Sequence, residues 1–269
     1  MRTCLSIAGS DPSGGAGIQA DLKTFACFEV YGMAVPTALT IQNSTGVFEV
    51  VAIPPDLFEK QIHPLFEDVS VDAVKLGMLF SSENIERLHH VFSKYRPKRL
   101  IVDPVIRSTS GFRLLEEKGV ESLKKLIFPS ALIVTPNLKE ASVLTNTSVN
   151  SLEEMEAAAK IIYEFGPKFV LIKGGHLAEE AVDLLYDGES FQKWTSPKIQ
   201  KKVHGAGCVF SSAIAACLAR GHTVEMAVEE AHHFVHRAIR DSRPVGKGSF
   251  PLNLFHDPVP SYRKSKNAE

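Results

Sequence analysis

The sequence lacks several things that would have named a function class at once. No apolar run approaches the ~20 residues of a membrane span, so no membrane partner is expected. Cysteine is sparse: Cys4, Cys27, Cys208 and Cys217 stand far apart, with no CxxC pair. A disulfide framework or a zinc clip is therefore not expected, and a reducing cytoplasm is the expected compartment. Basic blocks longer than a few residues are missing as well. With 30 Lys+Arg against 31 Asp+Glu and a formal net charge of −1, a nucleic-acid surface is not expected. The opening Met1–Ala8 is too short for a secretory leader and reads as a first strand. Internal repeats and long linkers are absent, so residues 1–255 read as a single domain. Residues 256–269, with Pro and Lys but little apolar content, read as a loose tail.

What is present is a steady alternation of two patterns over 269 residues that are 44% hydrophobic. Short Val- and Ile-rich runs predict strands at Cys4–Ala8, Val35–Thr40, Ala73–Leu76, Leu100–Val102, Leu132–Val134 and Phe169–Ile172. Between them, helices are predicted over Gly17–Phe28, Asp56–Asp68, Ser82–Lys94, Leu114–Phe128, Asn137–Leu144 and Leu152–Phe165. Asp187-Gly188, between Ala181–Leu185 and Ser190–Thr195, signals a hairpin. Two helices close the pattern, Cys208–Ala219 and Val224–Asp241. The order predicts an α/β fold: a three-layer αβα sandwich with a mainly parallel central sheet and antiparallel strands at one edge. The Gly- and Asp-rich segments follow the strands, where ligands of open parallel sheets gather.

The sharpest chemical signal is His204-Gly205-Ala206-Gly207-Cys208, leading into an apolar helix. Free amides at a helix start, together with the helix dipole, make an anion site. The same field favours a thiolate at Cys208. An anion cradle beside a basic sulfur points to phosphoryl transfer, with Cys208 taking a proton from a hydroxyl. Other candidates read two ways. Gly9–Gly17 has the composition of a phosphate loop without the GxxxxGK[ST] spacing, so a tight turn capped by Asp11 or Ser13 fits equally. Asp103, before Pro104-Val105, is a turn former or a Mg²⁺ ligand. Asn137 and Glu140 are a capping box or a phosphate and metal site. Lys173, before Gly174-Gly175, is a solvated lysine or a phosphate partner, and Lys247 is a weaker case of the same kind. His232, His233 and His236 lie on an ordinary amphipathic helix and lack the HExxH pattern.

Together these segments resemble the hydroxymethylpyrimidine/phosphomethylpyrimidine kinases of thiamine biosynthesis, within the ribokinase-like superfamily. The resemblance runs from about residue 3 to about residue 250. It is carried by Ile7–Thr24, Thr37–Val47, Lys75–Leu79, Asp103-Pro104-Val105, Thr135–Ala141, Lys173–His176 and His204–Cys208. It implies ATP and Mg²⁺ as cofactors, a small pyrimidine as the other partner, and a homodimer. The γ-phosphoryl of ATP would pass to 4-amino-5-hydroxymethyl-2-methylpyrimidine, then a second to the monophosphate. Cys208 would be the base, with Gly205, Ala206 and Gly207 holding the transferring group. Gly9, Asp21, Gln42, Met78 and Val105 would line the substrate pocket. Asp103, Asn137, Glu140, Lys173 and Lys247 would attend the nucleotide, Asp103 and Glu140 through the metal. Ala206 and Val209 stand where the family more often has Thr, and Arg107 is unusual after Asp103-Pro104-Val105. A pyridoxal or pyridoxine kinase is the near alternative; a non-catalytic pyrimidine-binding protein is the distant one.

Overall fold

The computed structural model describes residues 1–108, 110–175 and 180–255. His176 and the tail expected over 256–269 lie outside the described residues. In chain order the elements are β1 (Thr3–Ser10), α1 (Gly17–Cys27), β2 (Tyr31–Asn43), β3 (Gly46–Ala52), α2 (Pro55–Asp68), β4 (Ala73–Leu76), α3 (Ser82–Tyr95) and β5 (Leu100–Val102). Then follow α4 (Glu117–Ser122), β6 (Ile133–Val134), α5 (Leu138–Thr145), α6 (Leu152–Tyr163), β7 (Phe169–Gly174), β8 (Glu180–Tyr186) and β9 (Phe191–Pro197). Last come β10 (Val203–His204), α7 (Ala206–Ala219), α8 (Val224–Arg240) and β11 (Phe250–Pro251).

One nine-stranded sheet runs β3-β2-β1-β4-β5-β6-β7-β8-β9. Its centre, β2 to β7, is parallel. The expected hairpin β8–β9 closes one edge. The other edge also carries an antiparallel strand, β3 on β2, beyond the strand predicted at Val35–Thr40. Asn43 makes that turn: its Oδ1 accepts from Thr45 N and Oγ1, so four residues reverse the chain.

The central strands are short and apolar because both faces are covered, and the period of two divides them. Leu5, Ile7, Val74, Leu76, Leu100, Val102, Val134 and Ile172 pack against α2, α3, α5 and α6. Cys4, Ala73, Ile101, Ile133 and Leu171 pack against α1, α7 and α8. The same alternation sends Lys75, Asp103 and Lys173 toward the α7 layer. Helix α7 is buried from Val209 to Ala219, as a helix apolar on every side must be. The single helix expected over Leu114–Phe128 is shorter. Leu114 and Leu115 instead hang their amides on Ile106 O, and past Ser122 the coil widens and then tightens toward Pro129. Among the described residues, no helix is long and apolar enough to cross a membrane.

Candidate active site

The residues that follow β1, β4, β5, β6 and β7 border one cleft of about 420 Å³. At its middle lies the start of α7. Gly205, with φ of +83°, precedes the first helical residue, and a Cβ there would strike the Gly15 carbonyl. Glycine is thus required for the helix to dock on the 14–17 turn. No side chain caps α7 within the described residues, so its first amides are free to meet an anion. Gly207 brings that backbone close to a charged pair: a Cβ on it would lie 3.2 Å from Lys173 Nζ and 3.6 Å from Asp103 Oδ2.

Lys173 Nζ donates to Asp103 Oδ1 at 2.7 Å, and both side chains are buried. Burial works to lower the Lys173 pKa, but the Asp103 charge holds it above the ordinary lysine value. Glu140 borders the same space. Its Oε2 accepts from Asn137 N at 2.8 Å while Asn137 Oδ1 accepts from Glu140 N at 3.0 Å. The capping box and the cleft position therefore coincide. Burial pushes the Glu140 carboxyl up to about 7, opposed by Lys173 and helped by Asp103. Two buried carboxylates with a single ammonium between them form a donor set short of positive charge. Hard oxygen ligands of this kind suit a magnesium ion that keeps water and phosphate as its other ligands.

Toward the β2 edge, Gln42, Gly9, Met78 and Val105 border the cleft as expected. A Cβ on Gly9 would sit 2.9 Å from Met78 Sδ, so these two form one continuous wall. The Gln42 carboxamide lies 2.8 Å from His204 Nε2, which is 3.0 Å from Asp11 Oδ2. Asp11 also accepts from Ser13 N and Ala16 N, which fixes the glycine-rich turn. Burial works to raise the Asp11 pKa, but the hydrogen bonds from His204 and Ser13 hold it below the usual carboxylate range. His204 thus ties Gln42 to the loop under α7, across 162 and 193 residues of sequence. No local pattern carries such a link.

Three expectations need correction. Asp21 does not border the cleft. It is fully buried beneath it, where Lys75 donates to Oδ1 at 2.9 Å and Oδ2 at 2.8 Å, with Ser6 and Ser212 donating as well. One helical turn after Gly17 carries the side chain inward to the sheet, not outward to the ligand. Lys247 is exposed and away from the cleft, on a loop that Gly248 N and Ser249 N pin to Ser44. Cys208 does border the cleft, and Gly17 N donates to its sulfur. Yet burial pushes its thiol up to about 11, against the pull of the Lys75 charge. Desolvation outweighs the Lys75 charge and the Gly17 hydrogen bond, so the resting group is a thiol.

The family described as phosphomethylpyrimidine kinase matches residues 11–253. A hydroxymethylpyrimidine/phosphomethylpyrimidine kinase of Aquifex aeolicus is 45% identical over 246 residues, covering 91% of this chain and 96% of its own length. The thiamine biosynthesis bifunctional protein of Geobacter sulfurreducens is 44% identical over 251 residues; the match covers 93% of this chain but only 51% of that longer protein. Among solved structures, the Staphylococcus aureus pyridoxal kinase in complex with AMP-PCP and pyridoxal superposes with a TM-score of 0.88 at 37% identity, covering 96% of each chain. A match over most of the chain and identity above 40% to full-length relatives place this chain in the phosphomethylpyrimidine kinase family, the kinases of thiamine biosynthesis.

Proposed function

We propose that this chain transfers the γ-phosphoryl group of ATP to the hydroxymethyl oxygen of 4-amino-5-hydroxymethyl-2-methylpyrimidine. A second transfer, to a phosphate oxygen of that product, gives the diphosphate. One observation carries the reading: the free amides of α7, the Cys208 sulfur and the Lys173–Asp103 pair meet at the middle of a single cleft.

The acceptor lies toward β2. Gln42 offers both a donor and an acceptor, which suits the edge of an aminopyrimidine, and Gly9, Met78 and Val105 shape the wall behind it. The hydroxymethyl group then faces Cys208. As its oxygen attacks the γ-phosphorus, its proton passes to the Cys208 sulfur in the small fraction of chains that hold it as thiolate, and ADP leaves with the electron pair of the broken P–O bond. The Gly205–Cys208 amides receive the negative charge spread over the transferring oxygens. Lys173 faces the phosphates from β7, and Asn137 orders the turn before α5. Asp103 and Glu140 would hold Mg²⁺ through water and phosphate. The cation, when bound, neutralises phosphate charge, including the charge that accumulates on the leaving ADP. The four free cysteines fit a reducing cytosol. We also assign a homodimer, through the apolar β2–β3 edge.

The test is release of ADP from ATP and Mg²⁺ with the hydroxymethylpyrimidine and, separately, with its monophosphate. Turnover on neither would reject the reading. A pyridoxal kinase activity is the second reading, supported by the S. aureus neighbour. The ratio of kcat/KM for pyridoxal to that for the pyrimidine decides between them.

A further inference from the structure

Ser196, His232 and Asp183 form a hydrogen-bonded chain on the wall of the cleft, at the far edge of the sheet from Gln42. Ser196 Oγ lies 3.0 Å from His232 Nε2, and His232 Nδ1 lies 2.7 Å from Asp183 Oδ2. His232 is only 5% exposed, and Asp183 is buried too. The three come from β9, α8 and β8, so tertiary structure alone assembles them.

Sheet order says which part of a ligand they meet. The acceptor end is at β2, the phosphate machinery is on β5 and β7, and Ser196 is on β9. Register keeps these residues on one face: Lys173 pairs with Asp183, and Ala181 pairs with Ser196. From β7 to β9 is two strand spacings, about 10 Å. A nucleotide whose γ-phosphate lies at Lys173 and whose acceptor lies toward β2 must lay its nucleoside toward β9. This step rests on the kinase reading above.

Proton placement says what Ser196 offers. An ionised carboxylate only accepts, so Asp183 fixes the imidazole proton on Nδ1. In the tautomer with its proton on Nδ1, Nε2 is an acceptor, and the Ser196 hydroxyl donates to it. The lone pairs of Ser196 are left facing the cleft. We infer that Ser196 is a nucleoside-recognition residue that accepts a hydrogen bond from a donor group on ATP, either the adenine amine or a ribose hydroxyl, with His232 and Asp183 as positioning residues that set its polarity.

Calorimetry on the intact chain tests this with ADP, IDP, 2′-deoxy-ADP and 3′-deoxy-ADP, none of which needs turnover. Ser196→Ala is expected to weaken ADP binding by about tenfold, the worth of one such hydrogen bond. The loss should vanish for the single analogue that lacks the contacted donor: IDP if it is the amine, a deoxy analogue if it is the ribose. Ser196→Thr should restore affinity. Asp183→Asn, which makes the Nδ1 partner a donor and moves the ring proton to Nε2, should weaken ADP as Ser196→Ala does. An unchanged ADP affinity in Ser196→Ala, or an equal loss across all four nucleotides, overturns the inference. Failure of phosphoryl transfer alongside the expected nucleotide pattern overturns only the proposed function.

Discussion

At Cys208 two effects compete, and their sizes fix an outcome. The Lys75 charge and the Gly17 amide favour a thiolate, but burial wins and holds the group at about 11. Below that value the thiolate fraction grows tenfold with each pH unit. We therefore expect kcat/KM to climb across neutral and mildly alkaline pH, and Cys208→Asp, whose carboxyl ionises near 4 in its unperturbed state, to flatten the climb. A pH-independent kcat/KM in the unaltered chain would remove the sulfur from the rate-limiting proton transfer. Cys208→Ala should fold normally and lose about 10²- to 10⁴-fold in kcat. Asp21 calls for a different measurement, because its work is structural. It shares a fully buried ion pair with Lys75, whose pKa burial would lower but which the Asp21 charge holds above the ordinary value. Removing one partner strands the other. Asp21→Ala should cost about 3–5 kcal/mol in urea unfolding, whereas a substrate-contact residue would raise KM and leave stability alone.

Helix α7 concentrates the chemistry of one element at its first turn. Ala206 stands in the first helical position, between Gly205 and Gly207, and borders the cleft. Ala206→Thr adds a hydroxyl donor where phosphate charge gathers and should raise kcat/KM for ATP several-fold without moving the melting temperature by more than a degree or two. Gly205→Ala should do the reverse, since its Cβ meets the Gly15 carbonyl at a positive φ; circular dichroism and the kinase assay would report a destabilised and inactive chain. How far the sequence could be read is plain at this scale. The run from His204 to Cys208 announces a glycine-led helix start, and its neighbours Asp103, Asn137 and Glu140 follow strands, and Lys173 lies near the end of one, that fold to the same edge. Their types and positions are local signals. The links in and beneath the cleft are not. His204 to Asp11, Asp183 to His232 and Lys75 to Asp21 join residues 49 or more positions apart, and side-chain direction, which sent Asp21 into the core and Lys247 to the surface, depends on helix phase and loop docking that spacing leaves open. The thiolate expectation failed for a related reason: a motif displays the helix dipole but not the depth at which its sulfur is buried.

Across the whole molecule, the proposed acceptor site and an exposed apolar patch fall on the same strands. The outer face of the β2–β3 hairpin leaves Leu39, Ile41, Phe48 and Val51 exposed, Phe48 by 61%, and Leu39 and Val51 are direct cross-strand partners. An apolar group of this size on a sheet edge is unusual for a surface that stays in water. On the same hairpin, Gln42 and Val47 border the cleft. Pairing two copies through this edge would cover the patch and stiffen the strands that hold the acceptor. Nucleotide binding, inferred above to lie toward the β9 side of the sheet, would hardly feel it. Phe48→Glu places a charge in the patch without touching the cleft. Sedimentation should then move from twice 29.5 kDa to 29.5 kDa, with KM for the pyrimidine rising while affinity for ADP holds. If the unaltered chain already sediments as a single copy, the patch has another occupant and the hairpin holds the acceptor unaided. If Phe48→Glu separates the copies with no change in pyrimidine KM, assembly and recognition share strands without sharing energy.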